Sequence, residues 1–196
     1  RANVYPTREF LARGRQDTSI KACCHCQAEN ETCSYITGYY PAIQEARIKR
    51  HNIICELLMD EAKKKDWVVF QERLVRDAQN ELYKPDLVFV KEDQAIVVDV
   101  MIRYENKETS LADAAAEKVK KYQHLREQVQ EITNVNNVKF MGFPRGAHGK
   151  WHAGNYKLLK DLGLSSSRQE KMAWRLSNWA LFSSGDIVHM FVSRSR

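Results

Sequence analysis

The chain has 196 residues, 43% of them hydrophobic and 29% charged, with only 8 glycines and 4 prolines, which excludes a disordered, collagen-like or low-complexity protein. It lacks both an apolar run of the roughly 18–20 residues that span a membrane and a secretory leader, so it is expected to be soluble, intracellular and, from its abrupt ends, a part of something larger. Lys and Arg outnumber Asp and Glu by 31 to 25, giving a net charge of +6, and because these cations are not gathered on one amphipathic helix they favour a polyanionic partner over a membrane.

Residues 1–22 read as polar and irregular, with one short helix near 8–15. Four of the five cysteines, Cys23, Cys24, Cys26 and Cys33, then crowd into eleven residues. Without a leader, such clustering suggests metal ligands rather than a disulfide framework. The expected division is an irregular Cys-rich segment over 1–40 and a larger domain over 41–196.

Pro41 opens a helix whose Ile43, Ala46, Ile54, Leu57 and Leu58 share a face. Residues 67–72 form a β-rich run. Residues 83–90 and 95–102 predict two strands around a turn at 91–94, apolar on both sides apart from their acids, so both sheet faces should be covered. A long helix is expected from a cap at Thr109 or Ser110 to about Glu131. Residues 138–143 give another strand. The basic, aromatic stretch from Arg145 reads as a loop, followed by a helix over 156–162 ended by Gly163 and another after 165–167. Trp174 and Trp179 are expected in the core. The fold class is α/β, a mixed sheet flanked by helices.

The hairpin carries the most chemistry. A turn at 91–94 pairs Val90 with Ala95 and therefore Asp86 with Asp99, and directly opposed residues have Cβ atoms about 4.5–5.5 Å apart. Two carboxylates at that distance repel unless a cation lies between them, and hard oxygen ligands suit Mg²⁺. The competing arrangement turns one acid to solvent or slips the register. Pro85 marks a strand edge or bulge. Glu72, at the end of the preceding strand, is either a third carboxylate or a solvated charge.

On the next helix Leu111, Ala115, Lys118, Tyr122, Leu125, Val129 and Ile132 recur at alternating spacings of four and three. That is a buried stripe with a lysine in its middle. Lys118 either pairs with the hairpin acids or snorkels to water. Tyr122, one turn on, is a hydrogen-bond donor to phosphate or a half-buried aromatic, and Lys121 faces solvent or phosphate. Arg145, His148, Lys150, Trp151 and His152 mix cations with an aromatic ring, a composition suited to phosphate contact with stacking or to a plain solvent loop.

The ordered series Cys23-x-x-Cys26, Lys49-Arg50-His51-Asn52, Lys84-Pro85-Asp86-Leu87, Asp99 and Lys118-x-x-Lys121-Tyr122 resembles the C-terminal region of site-specific non-LTR retrotransposons. Their restriction-like endonuclease belongs to the PD-(D/E)xK superfamily. The resemblance implies a restriction-endonuclease-like core of order αβββαβ. It implies nuclear nicking of double-stranded DNA with Mg²⁺ or Mn²⁺, so that the exposed 3′-hydroxyl primes a reverse transcriptase domain of the same polyprotein. Asp86 and Asp99 would then be metal ligands, Lys118 the catalytic lysine, Tyr122 an accessory group, and Lys49, Arg50 and His51 DNA contacts. The lysine lies on a helix rather than two residues after Asp99. The family's zinc knuckle, spaced C-x₂-C-x₈-H-x₄-C, here falls on Cys23, Cys26, Tyr35 and Tyr40, so its second half lacks the usual ligands. Cys24, His25 and Cys33 are the candidate substitutes, and otherwise the tyrosines fill the metal's place by packing. The alternative to the nuclease is a DNA-binding module that no longer cleaves.

Overall fold

The computed structural model describes residues 5, 7–13, 21–26 and 28–194. Strands β1 (Val68–Gln71), β4 (Leu87–Lys91), β5 (Gln94–Arg103) and β6 (Asn137–Gly146) form one mixed sheet in the order β1-β4-β5-β6. Between β1 and β4, β2 (Val75–Arg76) and β3 (Leu82–Tyr83) form a small separate hairpin. β1 and β4 are antiparallel, β4 and β5 antiparallel, and β5 and β6 parallel.

The β4–β5 register pairs Val90 with Ala95, as the sequence predicts, although the connection is tighter: Lys91 pairs with Gln94, leaving Glu92 and Asp93 at the tip. Glu92 takes the left-handed conformation, φ 53°, that a two-residue hairpin requires. Leu87 pairs with Val98, so Asp86 lies one position beyond the ladder's end, opposite Asp99.

Helix α3 (Gln44–Lys63), entered through a 3₁₀ turn at Pro41–Ile43, packs with α6 (Asn155–Asp161) and α7 (Ser166–Ser193) on one sheet face. Leu87, Phe89, Ile96, Val98 and Phe143 are fully buried there, each large side chain contributing about 1.5–3 kcal/mol. The other face carries Val88, Ala95 and Val97 and is covered by Tyr122, Leu125 and Val129. Both faces are thus covered, as the apolar strands require.

Three expectations are corrected. The helix predicted to run unbroken to Glu131 is α4 (Ser110–Tyr122), a 3₁₀ turn at Gln123–Leu125 and α5 (Arg126–Thr133). The tight turn still buries Leu125 and Val129, so the apolar spacing survives a break it cannot report, while Ile132, at 38% exposure, falls out of the buried stripe. The stretch from Arg145 is not a loop at its start: β6 runs on to Gly146, and Arg145 bridges back to Trp151. Trp174 is 72% exposed rather than core, because α7 buries Met172, Ala173, Leu176 and Ala180 and Trp174 lies off that stripe. Trp179 packs partly against the core.

The Cys-rich segment supplies α1 (Arg8–Leu11) and α2 (Cys33–Gly38). Its Cys23, Cys33, Ile36 and Tyr40 share a core cluster with Ile187, Val188 and Phe191 of α7. Half of the helix expected near 8–15 is α1, which ends in a turn at 12–13; residues 14 and 15 lie outside the described residues.

Candidate active site

Asp99 lies on the α4-facing side of β5 and is only 5% exposed. A carboxylate buried so deeply requires a partner. Lys118 provides it, with Nζ 2.9 Å from Oδ1 of Asp99, so the lysine in the apolar stripe pairs inward.

A glycine sets this contact. β6 pairs Gly142 with Asp99, and α4 crosses there so closely that a Cβ on Gly142 would stand 2.6 Å from the Ala115 Cα. Lys118 is one turn beyond Ala115. A glycine inside a strand signals close backbone approach, and Gly142 is the residue of this arrangement that the sequence reading passed over.

Asp86 is held from two sides. Its Oδ2 accepts the Val100 amide at 2.7 Å, extending the β4–β5 pairing through a side chain. His51 Nε2, reaching from α3, lies 3.1 Å from the same oxygen and 3.1 Å from the Val100 carbonyl. Both neighbours are acceptors, so Nε2 carries the proton. Burial, the largest single influence, opposes the imidazolium, but the hydrogen bonds and charges of Asp86 and Cys55 together outweigh it and hold His51 well above its ordinary value. His51 therefore belongs to this pocket.

Tyr122 is buried, and its hydroxyl donates to the Lys84 carbonyl at 3.2 Å. Burial, then the Asp99 carboxylate, push the phenol above its usual range. Glu72 touches Asp86 through its backbone, its amide donating to the Asp86 carbonyl at 2.9 Å. Its own carboxylate turns to Lys84, 2.6 Å away and half-exposed, and so stands outside the pocket.

The remaining candidates divide. Lys49 and Lys121 are exposed, Lys121 with its ammonium 4.8 Å from the Tyr122 ring centre. Lys150 is half-buried and its amide donates to Glu105 at 3.2 Å. Arg50 and Arg145 are interior groups: Arg50 donates to Ser184 Oγ at 2.7 Å and the Thr37 carbonyl at 2.9 Å, and Arg145 to Ser177 Oγ at 2.7 Å. Burial pushes both guanidinium groups down, to about 10. Arg145 also stacks 4.6 Å over the Trp151 ring. Neither presents itself to a ligand.

In the Cys-rich segment, Cys26 Sγ lies 3.0 Å from the Tyr35 hydroxyl, and that hydrogen bond lowers the thiol. Tyr35 and Tyr40 pack at 6.1 Å, and His25 stacks on Phe191 at 4.7 Å. Burial pushes the Cys33 thiol up to about 11, against the side of Tyr104. Cys26 thus meets Tyr35, at the position spaced for the knuckle's histidine, rather than Cys33. Among the described residues no three His, Cys, Asp or Glu side chains form a group that could hold a metal. Two opposed carboxylates still fit Mg²⁺, which typically takes one or two acids and completes its shell with water and substrate phosphates.

No protein-family model matches the chain. It is similar to polyproteins described as "Retrovirus-related Pol polyprotein from type-1 retrotransposable element R2". The likeness is 29% identity over 170 residues to one from Popillia japonica, covering 86% of this chain and 34% of that protein. It is 27% over 166 residues to one from Bradysia coprophila, covering 85% and 19%. It is 24% over 183 residues to one from Nasonia vitripennis, covering 90% and 17%. The chain therefore spans about a third or less of these relatives, and its likeness is to that part of them.

Proposed function

We propose that this chain is a metal-dependent DNA endonuclease domain of a non-LTR retrotransposon polyprotein, with a restriction-endonuclease-like core. In this reading it nicks double-stranded target DNA in the nucleus so that a reverse transcriptase domain of the same polyprotein extends the new 3′-hydroxyl. The observation that carries the reading is the Lys118–Asp99 contact of 2.9 Å beside a second carboxylate, Asp86, across the hairpin. The likeness to R2 polyproteins and the net charge of +6 support a polyanionic substrate.

Asp86 and Asp99 would hold Mg²⁺ or Mn²⁺, which when bound offsets charge on the scissile phosphate and acidifies a water. The Val100 amide and His51 fix the orientation of Asp86. Lys118 keeps an ammonium at the rim of the pocket, where it orients the attacking water and offsets charge growing on the phosphate in the transition state. Tyr122, tied to Lys84, keeps the segment before β4 closed over Asp99.

Supercoiled plasmid incubated with Mg²⁺ tests the reading. The parent is expected to nick it, with Asp99→Ala and Lys118→Ala each slowed about 10³-fold, the upper range for loss of one electrostatic stabiliser. Equal nicking by all three would remove the proposed site. Gel retardation of the plasmid without nicking by any of them would instead favour the DNA-binding module.

A further inference from the structure

The groove that ends at Lys118 has a second wall, built by the Cys-rich segment. A cavity of about 530 Å³ lies between the end of α2 and the first turns of α4, floored by Met101 and Arg103 and lined by Tyr39, Asp113, Glu117 and Lys118. That volume is in the range of ligand sites, ~300–1,000 Å³.

Tyr39 forms its rim. Tyr35 and Tyr40 pack into the segment's own core, but Tyr39 is 64% exposed. Its backbone is fixed as the cap of α2, the amide bonded to the Tyr35 carbonyl at 2.7 Å. The ring thus stands exposed beside an open groove, on a backbone tied to the end of α2.

The groove's charges select what it takes. Glu117 is paired with Arg103 at 2.7 Å, while Asp113 is exposed on the same wall. Carboxylates repel phosphates but accept hydrogen bonds from the exocyclic amines of bases. Aromatic rings stack on bases with little regard for sequence.

We infer that this groove receives a base of the DNA strand adjoining the scissile phosphate, stacked on Tyr39, with Asp113 and Glu117 facing its polar edge. The inference rests on the nuclease reading and adds a substrate subsite to it. It also gives the Cys-rich segment a role at the site that needs no metal.

The test is steady-state nicking of a labelled DNA duplex by the chain with Mg²⁺, for the parent, Tyr39→Ala, Tyr39→Phe and Lys118→Ala. Tyr39→Ala is expected to raise KM about 10-fold, with the deficit disappearing at saturating DNA, and Tyr39→Phe, which keeps the stacking face, to recover the affinity. Lys118→Ala loses turnover at every DNA concentration. An unchanged KM in Tyr39→Ala beside an inactive Lys118→Ala would overturn the subsite and leave the nuclease intact. Tyr39→Phe as weak as Tyr39→Ala would overturn stacking in favour of the hydroxyl. Full activity in Lys118→Ala, or none in the parent, would remove the nuclease reading and the subsite with it.

Discussion

Two buried acidic groups in this molecule are treated differently by their surroundings. Glu61 on α3 is 5% exposed and has both oxygens engaged: Lys64 reaches Oε1 at 2.8 Å, Arg168 Nε donates to Oε2 at 2.7 Å, and a second Arg168 nitrogen also bonds Oε1. Asp99 is equally buried but meets a single cation, Lys118, with the Tyr122 hydroxyl also beside it, and Asp86 is held through Oδ2 alone by an amide and an imidazole. Glu61 ties α7 to α3 and its binding capacity is used up. The hairpin acids each face one cation, Lys118 for Asp99 and the raised imidazole of His51 for Asp86, against the two that grip Glu61, which leaves more capacity for the cation of the proposed site.

The comparison breaks most sharply at Asp99. Asp99→Asn preserves shape and removes the charge, so nicking should fall about 10³-fold while the melting temperature moves little. Calorimetry of melting and plasmid nicking on the same preparation would separate the two. A large loss of stability with little loss of nicking would make Asp99–Lys118 an anchor of the Glu61 kind.

Gly142 sharpens the point, because it acts on the site through packing. Gly142→Ala must displace α4, since the Ala115 backbone leaves no room for a methyl group. Overpacking of this sort costs roughly 1–3 kcal/mol, and a shift of about 1 Å in Lys118 can cost ~10²-fold in rate. The expected result is a turnover loss larger than the affinity loss, measured as kcat against KM. A stability change with unaltered turnover would show that Lys118 does not depend on this crossing.

Glu61 gives the third test, through pH. Its carboxyl is held down to about 2, first by the hydrogen bond from Arg168, against the opposing effect of burial. A lowered folded-state pKa means the anchor contributes fully above the ordinary carboxylate range and is lost as the pH falls through about 2. Glu61→Gln should therefore lower stability by roughly 1–3 kcal/mol at neutral pH and flatten the acid limb of a denaturation profile between about 4.5 and 2. Nicking at neutral pH should be maintained. A parallel acid limb in both proteins would assign the titration elsewhere.

The sequence carried the local half of this arrangement. Two apolar strands around a short turn set the register that opposes Asp86 to Asp99, and a 3.6-residue stripe put Lys118 on the buried face without deciding between pairing and snorkelling, because both patterns are local. Distant partners were not legible. Arg50 lies in a basic run that resembles a DNA contact, yet its acceptors are Thr37 and Ser184, the latter 134 residues away on α7. Arg145 finds Ser177 in the same way. His51, by resemblance a DNA contact, meets Asp86 only because the fold brings α3 past the end of β4. The break at Gln123–Leu125 was hidden because a 3₁₀ turn preserves nearly the same apolar spacing.

Helix α7 offers the smallest effect and the finest control, since it supplies Arg168 to the Glu61 anchor and also carries Trp174. The indole is 72% exposed and borders, with Leu57 and Phe182, an apolar groove between α3 and α7. A surface aromatic outside the buried stripe carries little folding energy, so Trp174→Ser should change stability by less than about 0.5 kcal/mol, read from the urea midpoint at constant slope. If Trp174→Ser instead destabilised as much as Glu61→Gln, the α3–α7 contact would be held by diffuse apolar packing rather than by the saturated ion pair. Glu61 would then lose its standing as the anchor against which the hairpin acids are measured.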